Sequence, residues 1–193
     1  CSVNWNKSHE FKDLNNVKEL EDIKLLMINA DIVILNFKKG DDIKFGLDYN
    51  SLREINPRLI YGTINGFGEN SDRVAYDLIL QAESGFMSMN GTSDSGPVKM
   101  PVALIDILAG HQLKEGILVA LIERFKTGIG KKVSVSLFDS AIASLANQAT
   151  NWLMADHIAK PIGSTHPNIA PYGELFKTKD GATITFAIGS NKQ

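Results

Sequence analysis

Cysteine is almost missing from this chain: Cys1 is the only one in 193 residues. An internal disulfide is therefore excluded, and a thiolate metal cluster has too few ligands. Such scarcity suits a reducing, intracellular compartment. A surplus of one charge is missing too. A net charge of −2 gives no field that would draw nucleic acid or an acidic membrane surface. No apolar run is long enough to cross a bilayer, and the opening stretch, Cys1 to Lys7, lacks the basic-then-apolar order of a signal peptide. The four histidines, His9, His111, His157 and His166, show no HxxxH spacing, so no metal site is expected. There is no GxSxG elbow. Gly66-Phe67-Gly68 follows a strand-like run but lacks the third glycine of a dinucleotide fingerprint, and reads as a turn. Thr127 to Lys132 carries glycines and lysines but follows a helix, the wrong context for a P-loop.

What is present is ordinary for a globular protein: 44% apolar and 22% charged residues, enough to build a core. The chain has no initiator Met and stops just after a strand-like run, so a piece of a longer protein is expected. Val17, Leu20, Ile23, Leu26 and Met27 recur at helical spacing over 16–30, with Asn15 or Asn16 as cap. Ile32 to Phe37 is short and continuously apolar, as in a parallel strand buried on both faces. Lys38 to Asp42 reads as loop. Tyr49 to Ile55 reads as a helix capped by Asp48 and stopped at Asn56-Pro57, and Leu59 to Ile64 as a second buried strand. Strand–helix–strand order places the first third in an α/β unit.

Tyr76 to Met89 reads as a helix with Leu78, Ile79, Ala82 and Phe86 inward. A turn-rich loop, 90–97, leads to a long helix from about Ala103 to Phe125, ended by the glycines after Thr127. Val133 to Leu137 alternates as a strand, and Asp139 to Met154 reads as an Ala-rich helix. The loop 155–171 holds His166-Pro167-Asn168. Gly173–Phe176 and Thr183–Ile188 form a hairpin around Lys179-Asp180-Gly181. The fold class is α/β. A partial doubly wound parallel sheet leads by long helices into the start of a smaller α+β domain, with 1–150 and 151–193 as the two parts.

One carboxylate stands out. Asp106 is the one carboxylate in the otherwise largely apolar stretch Val98 to His111, where the long helix begins. A buried charge is costly unless something pairs with it, and the ordinary explanation is that Asp106 caps free backbone N–H groups. Lys38, Lys39 and Lys44 cluster after the first strand, where ligands bind in open α/β sheets; a phosphate-bearing ligand suits them, as does a plain solvated loop.

Several segments in order resemble the class III CoA-transferases. They are Ala30–Phe37, Gly46–Tyr49, Asn56–Tyr61, Ile64–Gly68, Tyr76–Ala82, Ser84–Met87, Val98 through Asp106, and Thr127–Asp139. Ala146–Ala149 and His166–Tyr172 look most like the branch acting on small dicarboxylic acids, the succinyl-CoA:dicarboxylate transferases. The resemblance implies that Asp106 is the catalytic aspartate, a nucleophile that passes through a mixed anhydride and an aspartyl-CoA thioester. It implies that backbone N–H groups at this helix start stabilise developing oxyanions. Coenzyme A enters as substrate, in the form of an acyl-CoA, and no permanently bound cofactor is expected. Asn36 and Phe37 match the strand-end positions, Lys38 and Lys44 the basic residues that meet CoA phosphates, and Tyr76 and Leu137 the pantetheine path. Lys44 replaces a common Arg, which keeps the charge and loses the bidentate fork. Lys39 stands where Pro is usual.

The resemblance further implies an interlocked homodimer in the full-length form, a small carboxylate as co-substrate, and a cytoplasmic enzyme, or one of the mitochondrial matrix in a eukaryote. The family's first strand with its glycine turn has no counterpart here, nor does the later glycine-rich loop over the aspartate. Two other readings stand beside it: a CoA-linked racemase or lyase-like relative, and an inactive fragment serving as a folding or interaction module. The racemases need a His where Tyr76 stands, and a tyrosine has no base near neutral pKa.

Overall fold

A computed structural model describes residues 2–190; Cys1 and the residues after 190 lie outside it. A 3-10 turn, Ser2–Asn4, precedes α1 (Val17–Ile28), β1 (Ile32–Leu35), α2 (Asp41–Phe45), α3 (Tyr49–Ile55) and β2 (Ile60–Asn65). Then come α4 (Asp77–Glu83), α5 (Phe86–Met89), α6 (Leu104–Thr127), β3 (Lys132–Ser136), α7 (Leu137–Ala143), α8 (Asn147–Ala155), β4 (Tyr172–Lys177) and β5 (Thr183–Ala187). They group into two compact units. The first holds 1–65, 69–72 and 112–135; the second holds 66–68, 73–111 and 136–193.

The first unit is built on a three-stranded sheet in the order β1-β2-β3, with β1 parallel to β2. Local chemistry sets its helices. Asn16 accepts from the N–H groups of Lys18 and Glu19, opening α1. Asp48 does the same for Asn50 and Ser51 at the start of α3, and the Ser51 hydroxyl above all holds the Asp48 carboxyl below its ordinary pKa. One sheet face carries Met27, Leu47, Leu52, Leu59 and Tyr61. The Tyr61 hydroxyl donates to Leu47 O at 3.1 Å, and its burial pushes the phenol pKa up to about 12. The other face packs Ile60 against Leu113, Ile117 and Ala120 of α6.

The continuous apolar run of β1 is not buried on both faces. Val33 and Leu35 join the first cluster, whereas Ile34 is 59% exposed. Successive side chains of a strand point to opposite faces, and on the second face α6 packs over β2 and β3. Two further expectations change. The 38–42 loop passes straight into α2, which Gly40 opens in a left-handed conformation at φ +87°. The single helix expected over 139–154 is two, α7 and α8, parted at Ala146, φ +50°.

The second unit centres on Leu80, Ile105 and Ala141, with Phe67, Phe86, Leu108, Leu137 and Phe138 packed against them. The helix expected over 76–89 breaks at Gly85, φ +91°, into α4 and α5. Its buried face is also different: Leu80 and Gln81 point inward, while Leu78, Ile79 and Ala82 are exposed. The hairpin forms as expected, β4 antiparallel to β5.

Arg124 carries a distinct load within the first unit. It is 7% exposed, and its guanidinium donates to Asp31 O at 3.0 Å, Arg58 O at 3.1 Å and Asp31 Oδ1 at 3.0 Å. The Asp31 carboxylate is itself open to solvent, so the main-chain carbonyls matter more than the ion pair. Arg124→Met should destabilise the fold by about 2–3 kcal/mol, and Asp31→Ala by less than about 1 kcal/mol. Urea denaturation checks this; equal losses would assign the stability to the ion pair instead.

Candidate active site

The segment before α6 has no regular structure of its own, so its place depends on individual hydrogen bonds, most of them to side chains. Val98 N–H donates to Met87 O at 3.1 Å, and Asn90 Nδ2 donates to Val98 O at 2.9 Å. Met100 N–H donates to Gln81 Oε1 at 2.8 Å. Gln81 Nε2 donates to Asp77 Oδ2 at 2.6 Å and to Val102 O at 3.3 Å. The other Asp77 oxygen, Oδ1, accepts from Ile105 N–H at 2.8 Å. Asp77 and Gln81 are four apart on α4 and so share a face.

These bonds revise the expectation about Asp106. The side-chain acceptor at this helix start is Asp77, twenty-eight positions back in sequence. Ile105, whose N–H it takes, is wholly buried, and Asp106 follows as an exposed residue in the first turn. Capping therefore does not account for the carboxylate at 106. Protein atoms packed around that carboxylate raise its pKa above the ordinary value by desolvation, and the charge of Asp77 acts in the same direction.

The oxyanion expectation also changes. The N–H groups of Ile105 and Ile107 are committed, to Asp77 Oδ1 and to Ala103 O. The helix start is thus a fixed platform for Asp106, with those two donors already engaged.

Two other expected site residues stand in the same unit. Tyr76 precedes Asp77 and is exposed at the head of α4, its carbonyl accepting from Leu80 N–H. Leu137 opens α7 and is half-buried against the cluster that holds Ile105. The remaining four lie in the first unit. Asn36 and Lys38 are exposed just past the end of β1, and Phe37 is half-buried. Its ring stands 6.2 Å from that of Phe45, and Lys44 Nζ sits 4.7 Å above Phe45. The structure thus gathers Phe37, Phe45 and Lys44. Lys39 turns instead to Asn70 O at 3.0 Å and Asp72 at 3.5 Å.

Sequence reasoning missed the roles of Asp77 and Gln81. The available signal was their spacing of four on a short helix, with a polar residue falling in the buried register. Among the described residues, no group of three or more His, Cys, Asp or Glu side chains could hold a metal ion. No helix among them is long and apolar enough to cross a membrane.

The family model for CoA-transferase family III matches residues 1–193. The chain belongs to that family. A succinate–glutarate CoA-transferase of Agrobacterium fabrum is 40% identical, aligned over all of this chain and 48% of its own length. The human succinyl-CoA:glutarate CoA-transferase is 35% identical over all of this chain and 44% of its own. A solved CaiB/BaiF family protein from Brucella suis superposes with a TM-score of 0.82 at 41% identity, covering 92% of this chain and 47% of that one. The chain spans about half the length of these relatives. As in that solved family member, the architecture is α/β.

Because the negative charge of Asp77 adds to the raised pKa of Asp106, removing it should lower that pKa. Asp77→Asn should move the Asp106 titration to lower pH in a carbon-13 NMR titration of its side-chain carboxyl. An unchanged or higher midpoint would contradict the electrostatic coupling.

Proposed function

We propose that the complete protein moves CoA from an acyl-CoA to a small carboxylic acid, with Asp106 as the nucleophile. The observation that carries this reading is an exposed carboxylate, raised in pKa, on a helix turn whose capping is done by another residue. A carboxylate so presented is one of the side chains that form covalent intermediates with acyl groups.

An Asp106 oxygen attacks the thioester carbonyl, forming a mixed anhydride and releasing CoA as thiolate. The thiolate then attacks the Asp106 carbonyl. The donor acid leaves as its carboxylate, and an aspartyl-CoA thioester remains. The acceptor carboxylate attacks that thioester, giving a second anhydride and free thiolate. Attack of the thiolate on the acceptor's carbonyl yields the new acyl-CoA and restores Asp106. Anhydride and thioester are close in energy, so each step stays reversible.

The donor is succinyl-CoA and the acceptor a small dicarboxylic acid. Support comes from relatives named for succinate–glutarate and succinyl-CoA:mesaconate transfer, 33–40% identical to this chain. On the same reading Lys38 and Lys44 neutralise CoA phosphates, with Asn36 and Phe37 beside them at the strand end, and Tyr76 and Leu137 flank the pantetheine. The full-length protein is an interlocked homodimer. Tyr76 in place of a histidine speaks against racemase chemistry, since a phenol does not serve as the base at neutral pH.

Asp106→Asn should lower turnover by about a thousandfold or more while leaving the protein folded. Incubation of wild type with succinyl-CoA and hydroxylamine should leave a modified peptide containing Asp106, absent from the variant. An unmodified peptide from an otherwise active wild-type enzyme would remove Asp106 from the mechanism.

A further inference from the structure

Gln81 is the fully buried polar side chain of α4, at 0% exposure. A carboxamide so placed must be bonded on both ends. Its oxygen accepts from Met100 N–H, and its nitrogen donates to Asp77 Oδ2 and Val102 O. One side chain thus fixes two points of the irregular segment before α6 and also orients the carboxylate that caps Ile105. Apolar packing supports the same arrangement, since Leu80, between Asp77 and Gln81, clusters with Ile105.

We propose that Gln81 and Asp77 are positioning residues for Asp106: a buried clamp from α4 that sets where the first turn of α6 presents its carboxylate. This rests on the reading of Asp106 as nucleophile. Asp106 adjoins the capped residue, so slack at Ile105 N–H moves the attacking oxygen. A thioester carbonyl must be met at about 3–3.5 Å along an aligned path, and a displacement of about 1 Å costs on the order of a hundredfold in rate. Substrate affinity does not depend on that alignment in the same way. The clamp therefore acts on the chemical step and leaves acyl-CoA binding nearly unchanged.

The test uses the complete gene product and Gln81→Met, which nearly conserves volume and removes all three bonds. Two quantities are read: the single-turnover rate of Asp106 acylation at saturating succinyl-CoA, and the KM for succinyl-CoA. Acylation should fall by about tenfold to a hundredfold, with KM within about threefold of wild type. Amide exchange at Met100 and Ile105 should quicken in parallel. Asp77→Asn is the second variant, needed if Gln81→Met does not fold. It keeps an acceptor for Ile105 N–H and sets an amide donor against Gln81 Nε2, so acylation should again fall, by severalfold. A folded Gln81→Met protein that acylates at the wild-type rate overturns the proposal, even with faster exchange, and so does a wild-type rate in Asp77→Asn. A wild-type protein that forms no adduct on Asp106 overturns the nucleophile reading, and the positioning role falls with it.

Discussion

The hydrogen bond from Ile105 N–H to Asp77 Oδ1 governs the start of α6, and through it the candidate site. A helix start leaves backbone donors unsatisfied, and a residue close in sequence usually takes them. Here the acceptor comes from another helix. Asp77 thus links the first turn of α6 to α4, and Gln81 extends the link to the backbone at 100 and 102. With the cap supplied from outside, it is Asp77 and not Asp106 that accepts from Ile105 N–H. Asp106 can stand exposed in the first turn with its pKa raised by its surroundings.

The first unit is governed by close backbone approach. A side chain at Gly130 would place a Cβ 2.0 Å from Leu59 O, and one at Gly116 would place it 2.5 Å from Val133 Cγ1. Glycine alone allows these approaches, so α6 and the turn after it can lie directly on β2 and β3. Arg124 then satisfies carbonyls at Asp31 and Arg58 that lie at the starts of β1 and β2. Past the far end of β1, the half-buried rings of Phe37 and Phe45 and the exposed Lys44 form an aromatic and basic group.

Features coded by neighbours in sequence were legible: the Asn16 and Asp48 caps, the two parallel strands and the hairpin turn. Features coded at long range were not. Nothing local marks Asp77 as the cap of a helix that begins near residue 104. Gln81 is buried with both ends of its amide bonded, whereas a pattern of apolar residues assigns the inner face to Leu78 and Ile79. Ala146 adopts φ +50° without the glycine or asparagine that usually signals it. The apolar run of β1 could not disclose that its second face stays largely open. Asp106 was legible as a carboxylate out of place, but its freedom from capping duty was visible only in the fold.

The central claim is that a carboxylate of this chain is covalently acylated and exchanges an oxygen with its substrates. A single turnover with succinyl-CoA and glutarate labelled in both carboxylate oxygens with oxygen-18 measures this directly. In the second anhydride the bridging oxygen comes from the acceptor, and it stays with the enzyme when the new thioester forms. One labelled oxygen should therefore appear in the peptide containing Asp106, raising its mass by about 2 Da, and should pass into succinate in any later turnover in which the labelled oxygen is the one that attacks. Complete transfer of CoA with no label in that peptide would contradict the account.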